Sequence, residues 1–216
     1  MKKQGYKYLE FISVLYVASL IIANTIAVKI IDIGGLSIPA GILCFPMTYI
    51  INDVLTEIYG FDNAKRVIKY GFICLALMVF LYSAATVMPS ASIWRHQKEF
   101  EYVFTLVPRI ALGSLVAYIF GSLLNSYYMV IIKTFTKGNY LWIRTIGSTI
   151  IGEGVDSFIF NIIAFYGIFK NNDLLIIILT GWSMKTVYEV LATPFTYLVV
   201  GYLRRNEIIY NEDGEK

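Results

Sequence analysis

Glu153 and Asp156 stand three residues apart in a run that is otherwise almost wholly apolar, with Gly147, Gly152 and Gly154 around them. On a helix that spacing puts both carboxylates on one side, together with Thr149, Ser157 and Phe160. A second set, Trp182, Lys185 and Glu189, forms one stripe at helical spacing. A third holds Asn52, Asp53 and Glu57, the two acids four apart on one face. Asn24 lies in a fourth run, with Lys29 near its end. Two carboxylates held close resist being ionised together. Asp156, Asp53 or Glu57 could therefore carry a proton near neutral pH. Gathered at one depth, these groups would line a polar cavity able to hold a polar ligand.

The elements that must position them are membrane helices. The chain has 216 residues, 57% hydrophobic and 15% charged, with mean hydropathy +0.65. Too few charges remain to clothe a soluble domain of this length, so the apolar surface needs lipid as its solvent. A helix needs about 20 apolar residues to cross the hydrocarbon core. Six runs qualify, at about 8–31, 38–59, 67–88, 109–132, 143–169 and 174–203. The expected fold is an all-α bundle of six transmembrane helices over residues 1–205, followed by a polar cytoplasmic tail, 206–216, that frays. The runs are continuous, whereas barrel strands are short and alternate. The first run is too long for a signal peptide core.

Charge placement sets the orientation. Lys2, Lys3, Lys7, Lys65, Arg66, Lys69, Lys133, Lys137, Arg144, Arg204 and Arg205 fall on one side, and Arg95, Lys98, Arg109 and Lys170 on the other. The richer side is cytoplasmic, which places both termini inside. Each intramembrane charge costs at least ~2.5–3.5 kcal/mol and needs a partner or a role. Lys29 can snorkel outward. Glu57 can sink into the headgroups. Lys185 can neutralise Glu189 four residues on, or pair with the acids of the fifth helix; the sequence leaves both open. Asn24 needs a neighbouring helix or a ligand.

Other features are weaker. The outer loop 89–108 alternates aromatics with charges and could lie in the headgroup layer or cap the mouth of a pathway. Pro46 and Pro194 sit where helices could break. Ala23 and Ala27 make a small-residue face that could dock another helix. Cys44 and Cys74 read as small buried hydrophobes. No phosphate loop, zinc-protease motif, nucleophile elbow or potassium-filter sequence occurs. The expectation is a non-enzyme without cofactor or metal and without a nucleic-acid partner.

One stretch is specific. Pro39-Ala40-Gly41 through Phe45-Pro46-Met47-Thr48-Tyr49, then Asp53-Val54-Leu55-Thr56-Glu57-Ile58-Tyr59-Gly60 and Ala64-Lys65-Arg66, resembles the queuosine precursor transporter family, also called the vitamin uptake transporter family. Ala23-Asn24 with Lys29, Arg144 with Ser148-Thr149, Glu153 and Asp156, and Lys185, Glu189 and Pro194-Phe195-Thr196-Tyr197 fit it in order along nearly the whole chain. The resemblance implies a multi-pass importer in a bacterial cytoplasmic membrane. Its cargo would be 7-deazaguanine bases: 7-cyano-7-deazaguanine, 7-aminomethyl-7-deazaguanine or queuine. The residues suit such a base. A guanine-like edge offers two parallel N–H donors, which one carboxylate accepts together. Glu153 or Asp156 comes first for that role, then Asp53 or Glu189. Asn24, Asn52 or Lys185 could meet the ring carbonyl, and Trp182 or Phe45 could stack on the ring face. A secondary transporter, alone or as a homo-oligomer, is the leading expectation. The alternative is a substrate-binding membrane subunit of an ATP-driven energy-coupling-factor system.

Overall fold

The structure, a computed structural model, describes residues 5–136, 141–207 and 209–210. Lys2, Lys3, Lys137 and tail residues 211–216 lie outside the described residues, as do the side chains of Tyr49, Lys133 and Arg144.

Helix α1, Leu9–Ile26, leads into a hairpin of β2, Ile30–Ile33, and β3, Leu36–Pro39. A 3-10 turn, Ala40–Cys44, then opens α2, Phe45–Val87. A short α3, Gln97–Phe104, precedes the long helices α4, Val107–Phe135, α5, Leu141–Phe165, and α6, Asn171–Asn206. Among the described residues, 5 helical segments are long and apolar enough to cross a membrane. An all-α membrane protein is therefore what the sequence encodes.

α2 is two helices in sequence. Gly60 has φ 79° and ψ 164°, left-handed backbone that breaks the helix and that a glycine adopts without a Cβ clash. The contacts with α1 reverse there. Along limb α2a (45–59) they descend: Ser19 Oγ meets Met47 Sδ at 3.1 Å, and Ile12 and Tyr16 cluster with Ile51, Val54 and Leu55. Along limb α2b (61–87) they climb again: Gly71 lies under the Tyr16 ring and Leu20, and Thr25 Oγ1 donates to Met78 Sδ at 3.4 Å. The two limbs run antiparallel, as the separate runs at 38–59 and 67–88 lead one to expect.

The chain ends meet beside Gly60. β1, Gly5–Tyr6, pairs antiparallel with β4, Ile209–Tyr210. The Glu207 carboxylate accepts the Lys7 and Tyr8 amides at 2.6 and 3.3 Å and the Tyr59 hydroxyl. An acid thus satisfies free amides at the positive end of α1. The start of the tail is anchored here, where the sequence reading has it fray.

At the opposite end α1 stops at Ile26 and not near 31, because the next residues form the hairpin. Gly34 and Gly35, with φ 63° and 85°, make a two-residue turn in which both central residues need positive φ. Asp32 Oδ1 accepts the Gly35 amide at 3.0 Å. The 3-10 turn behind the hairpin fits against α1 through Gly41, where a Cβ would stand 2.8 Å from Ala23 O and 3.2 Å from Ala27 Cβ. The small-residue face of α1 is thereby used inside the chain. Lys29 is exposed just beyond α1. The loop 89–108 folds into α3, whose Phe104 ring packs on Phe100 at 4.4 Å and on Tyr82 at 4.6 Å. No residue of α3 is buried, and Ile38 and Pro39 of the hairpin, not this loop, border the bundle's cavity. Pro46 falls in the first turn of α2, which a missing N–H suits, so it starts the helix and does not break it. Pro194 does lie inside α6 and removes the amide that would bond Val190 O.

α4 and α5 pack most closely. A Cβ at Gly121 would stand 3.0 Å from Asp156 Cβ and 3.2 Å from Gly152 O; one at Gly152 would stand 2.8 Å from Asn125 Cβ. Glycines let backbones approach where lipid gives no hydrophobic drive to associate. Arg109 donates to Ile163 O at 3.1 Å and Tyr166 O at 2.9 Å, closing the free carbonyls at the end of α5.

Candidate functional site

Register between α5 and α6 builds the site. The Trp182 indole rests on Gly154 and donates Nε1–H to Ile150 O at 2.9 Å. That fixes Lys185 opposite the two acids of α5: its ammonium pairs with Asp156 and stands 3.7 Å from Glu153 Oε2. One turn further, Thr149 Oγ1 donates to Glu189 Oε1 at 3.1 Å. The choice left open by spacing is resolved toward the fifth helix. Lys185 is buried, and a lysine taken out of water costs several kcal/mol unless paired. The Phe45 ring, at the start of α2a, covers the ammonium from 4.8 Å, within cation–π range.

These groups line a cavity of about 330 Å³, the lower range of small-molecule sites. Of the residues singled out from sequence, Glu153, Asp156, Lys185, Glu189, Asp53, Asn52, Asn24 and Phe45 all face it. Two do not. Trp182 ties α6 to α5, as above, and does not border the cavity. Glu57 lies one turn below Asp53 and pairs with Arg204 at the surface near the chain ends. Neither is placed to touch a ligand there.

The structure adds residues that the pattern did not expose. Asn125 of α4, with Ser114 and Tyr118, and Asn161 of α5 complete the wall. Asn161 is four residues beyond Ser157 and on its face, a signal that was present in the sequence. Asn125 is a lone amide in an apolar run, and only the contact with Gly152 shows where it points.

Several oxygens on this lining are buried and have no hydrogen-bond partner among the described residues: Asn24, Asn52, Asn125 and Asn161 Oδ1, Ser157 Oγ and Glu189 Oε2. Buried polar atoms are nearly always paired, and here the unpaired ones converge on a single void. The cavity is also graded. Ala27, Ile38, Gly41, Ile42 and Gly181, at the hairpin end, are buried, whereas Asp53 and Ser122, toward the chain ends, are exposed. Its hairpin end is the more buried of the two.

A charged, amide-rich cavity enclosed by apolar helices of membrane length is the architecture of a multi-pass membrane transporter. Residues 39–199 match the family model described as "Putative vitamin uptake transporter", and the chain belongs to that family. It is similar to "Probable queuosine precursor transporter" of Bacillus subtilis, 32% identical over 81% of this chain and 77% of that protein. It is also similar to "Queuosine precursor transporter" of Escherichia coli, 25% identical over 76% of this chain and 71% of that protein. A "Probable queuosine precursor transporter" of Haemophilus influenzae is 26% identical over 58% of this chain and 51% of that protein. No solved structure matches the chain. With apolar helices and bacterial relatives of this kind, it is a multi-pass bacterial membrane protein.

Proposed function

We propose that the protein imports queuosine precursors, taking a 7-deazaguanine base into the cavity between α1, α2a, α4, α5 and α6. The observation that carries this reading is the convergence of Glu153, Asp156, Lys185 and Glu189 on one void, with buried oxygens left unpaired around it. Lys185 occupies Asp156 and approaches Glu153, so Glu189, with an unpaired Oε2, is the carboxylate best placed to accept the two parallel N–H donors of a guanine-like edge. Asn52 and Asn125 supply amides for the remaining ring atoms, and Phe45 supplies a face for stacking. A carrier reading, as opposed to an enzyme, accords with the names of the relatives.

We read the fold as six crossings, with the limbs of α2 counted separately and both termini cytoplasmic. The chain ends, Lys65, Arg66 and Arg204 gather at one end of the bundle, while Arg109 and Lys170 mark the other. The more buried, hairpin end of the cavity then faces outward and the more exposed end inward. Transport needs the reverse state as well. Asp156 and Asp53 are the candidates for carrying a proton between the two. Purified chain in liposomes, with no ATPase present, tests this directly. Accumulation of 7-cyano- or 7-aminomethyl-7-deazaguanine, enhanced by an inward proton gradient, is the expected result. Binding without flux would show a sensor or a subunit that requires a partner.

A further inference from the structure

The hairpin end of the cavity has a chemistry of its own. Asn24, Ser157 and Asn161 are 4%, 0% and 3% exposed, and each borders the cavity. The amide nitrogen of Asn24 donates to Leu20 O at 2.8 Å, and that of Asn161 to Ser157 O at 2.8 Å. A backbone carbonyl only accepts, so each amide is fixed with its nitrogen on its own helix and its oxygen turned away. Those two oxygens and the Ser157 hydroxyl have no partner among the described residues. None of the three is itself charged, although Asp156, which pairs with Lys185, directly precedes Ser157 on α5.

We propose that Asn24, Ser157 and Asn161 form an acceptor-rich subsite that takes the second N–H of the carried base's neutral exocyclic amine, the one Glu189 does not accept, and thereby sets which bases are accepted. The inference rests on the transport reading above and deepens it. Fixed neutral acceptors suit a neutral N–H donor. A cationic substituent is better served by Asp53 and Glu189, toward the less buried end. Discrimination follows because a base lacking the amine would leave these oxygens buried and unpaired, the situation in which a polar site rejects an analogue most strongly.

Unpaired buried polar groups also destabilise the protein that holds them. Ser157→Ala therefore has a signature that a structural role would not produce. Melting of the ligand-free protein in detergent should stay the same or rise, while affinity for the base falls. The test is calorimetric titration of the full chain with 7-cyano-7-deazaguanine and with its analogue lacking the 2-amino group. The wild type should prefer the amine-bearing base by about tenfold or more, and Ser157→Ala and Asn161→Ala should each erase most of that preference. Equal binding of both bases by the wild type, or an undiminished preference in Ser157→Ala, overturns the subsite alone. Binding of neither base by the wild type overturns the subsite and the proposed substrate class together.

Discussion

α6 contributes a cation to two acid clusters built on the same bundle. At mid-helix Lys185 faces Asp156 and Glu153, all three side chains under a quarter exposed. Near the chain ends Arg204 faces Glu57, with both side chains more than half exposed. Residue types and pairing are alike; the surroundings are not. Around Lys185 the neighbours are a cavity, an aromatic face and oxygens without partners. Around Arg204 they are solvent and the Glu207 knot that ties the N-terminus to the end of α6. Asp53 and Glu57, one turn apart on α2a, divide between the two clusters. Bordering the cavity, and not the presence of acids and bases, separates groups that can do work on a ligand from groups that hold ends together.

Breaking the buried cluster should have the largest effect. Lys185→Met leaves two carboxylates without their cation and should cost ~3–5 kcal/mol of stability, read as a lowered melting temperature in detergent, together with loss of uptake. Asp156→Asn keeps Lys185 beside Glu153. It should retain base binding within about threefold while uptake drops at least about tenfold, as expected of an intramembrane acid whose role is transfer; equal losses of binding and uptake would assign Asp156 to the ligand. Glu189→Gln removes the carboxylate with a free oxygen and should weaken binding by about tenfold, ~1.4 kcal/mol, with little change in ligand-free melting. Glu57→Gln, in the exposed cluster, should shift stability by no more than ~1 kcal/mol and leave uptake unchanged. A loss of uptake in Glu57→Gln as large as that in Asp156→Asn would erase the contrast between the two clusters.

Hydropathy made the long helices legible, since each crossing needs an uninterrupted apolar run, and Gly60 marks the reversal that the separate second and third runs imply. The hairpin was hidden for the same reason. Ile30 to Pro39 is nearly as apolar as the helices on either side, and Gly34–Gly35 was the only sign of a turn. Stripes at helical spacing brought out Lys185, Glu189, Glu153 and Asp156, but not their pairing. That depends on the axial register of α5 against α6, set by the contact of Trp182 with Gly154, which no single helix encodes. Trp182 itself looked like a stacking platform because its position in the stripe is right; its ring is spent on that contact. Asn125 gives little signal in the sequence because one amide barely lowers the hydropathy of its run.

Whether the cavity around Lys185 binds 7-deazaguanine bases can be read directly. Binding to the folded state alone raises the melting temperature with ligand excess over the dissociation constant. Thermal unfolding of the wild-type chain in detergent, against a panel of 7-deazaguanines, riboflavin and biotin, is the most direct measurement. A concentration-dependent rise with the deazaguanines and none with the two vitamins is the expected result. Equal rises with all of them, or a rise with riboflavin or biotin alone, would contradict it.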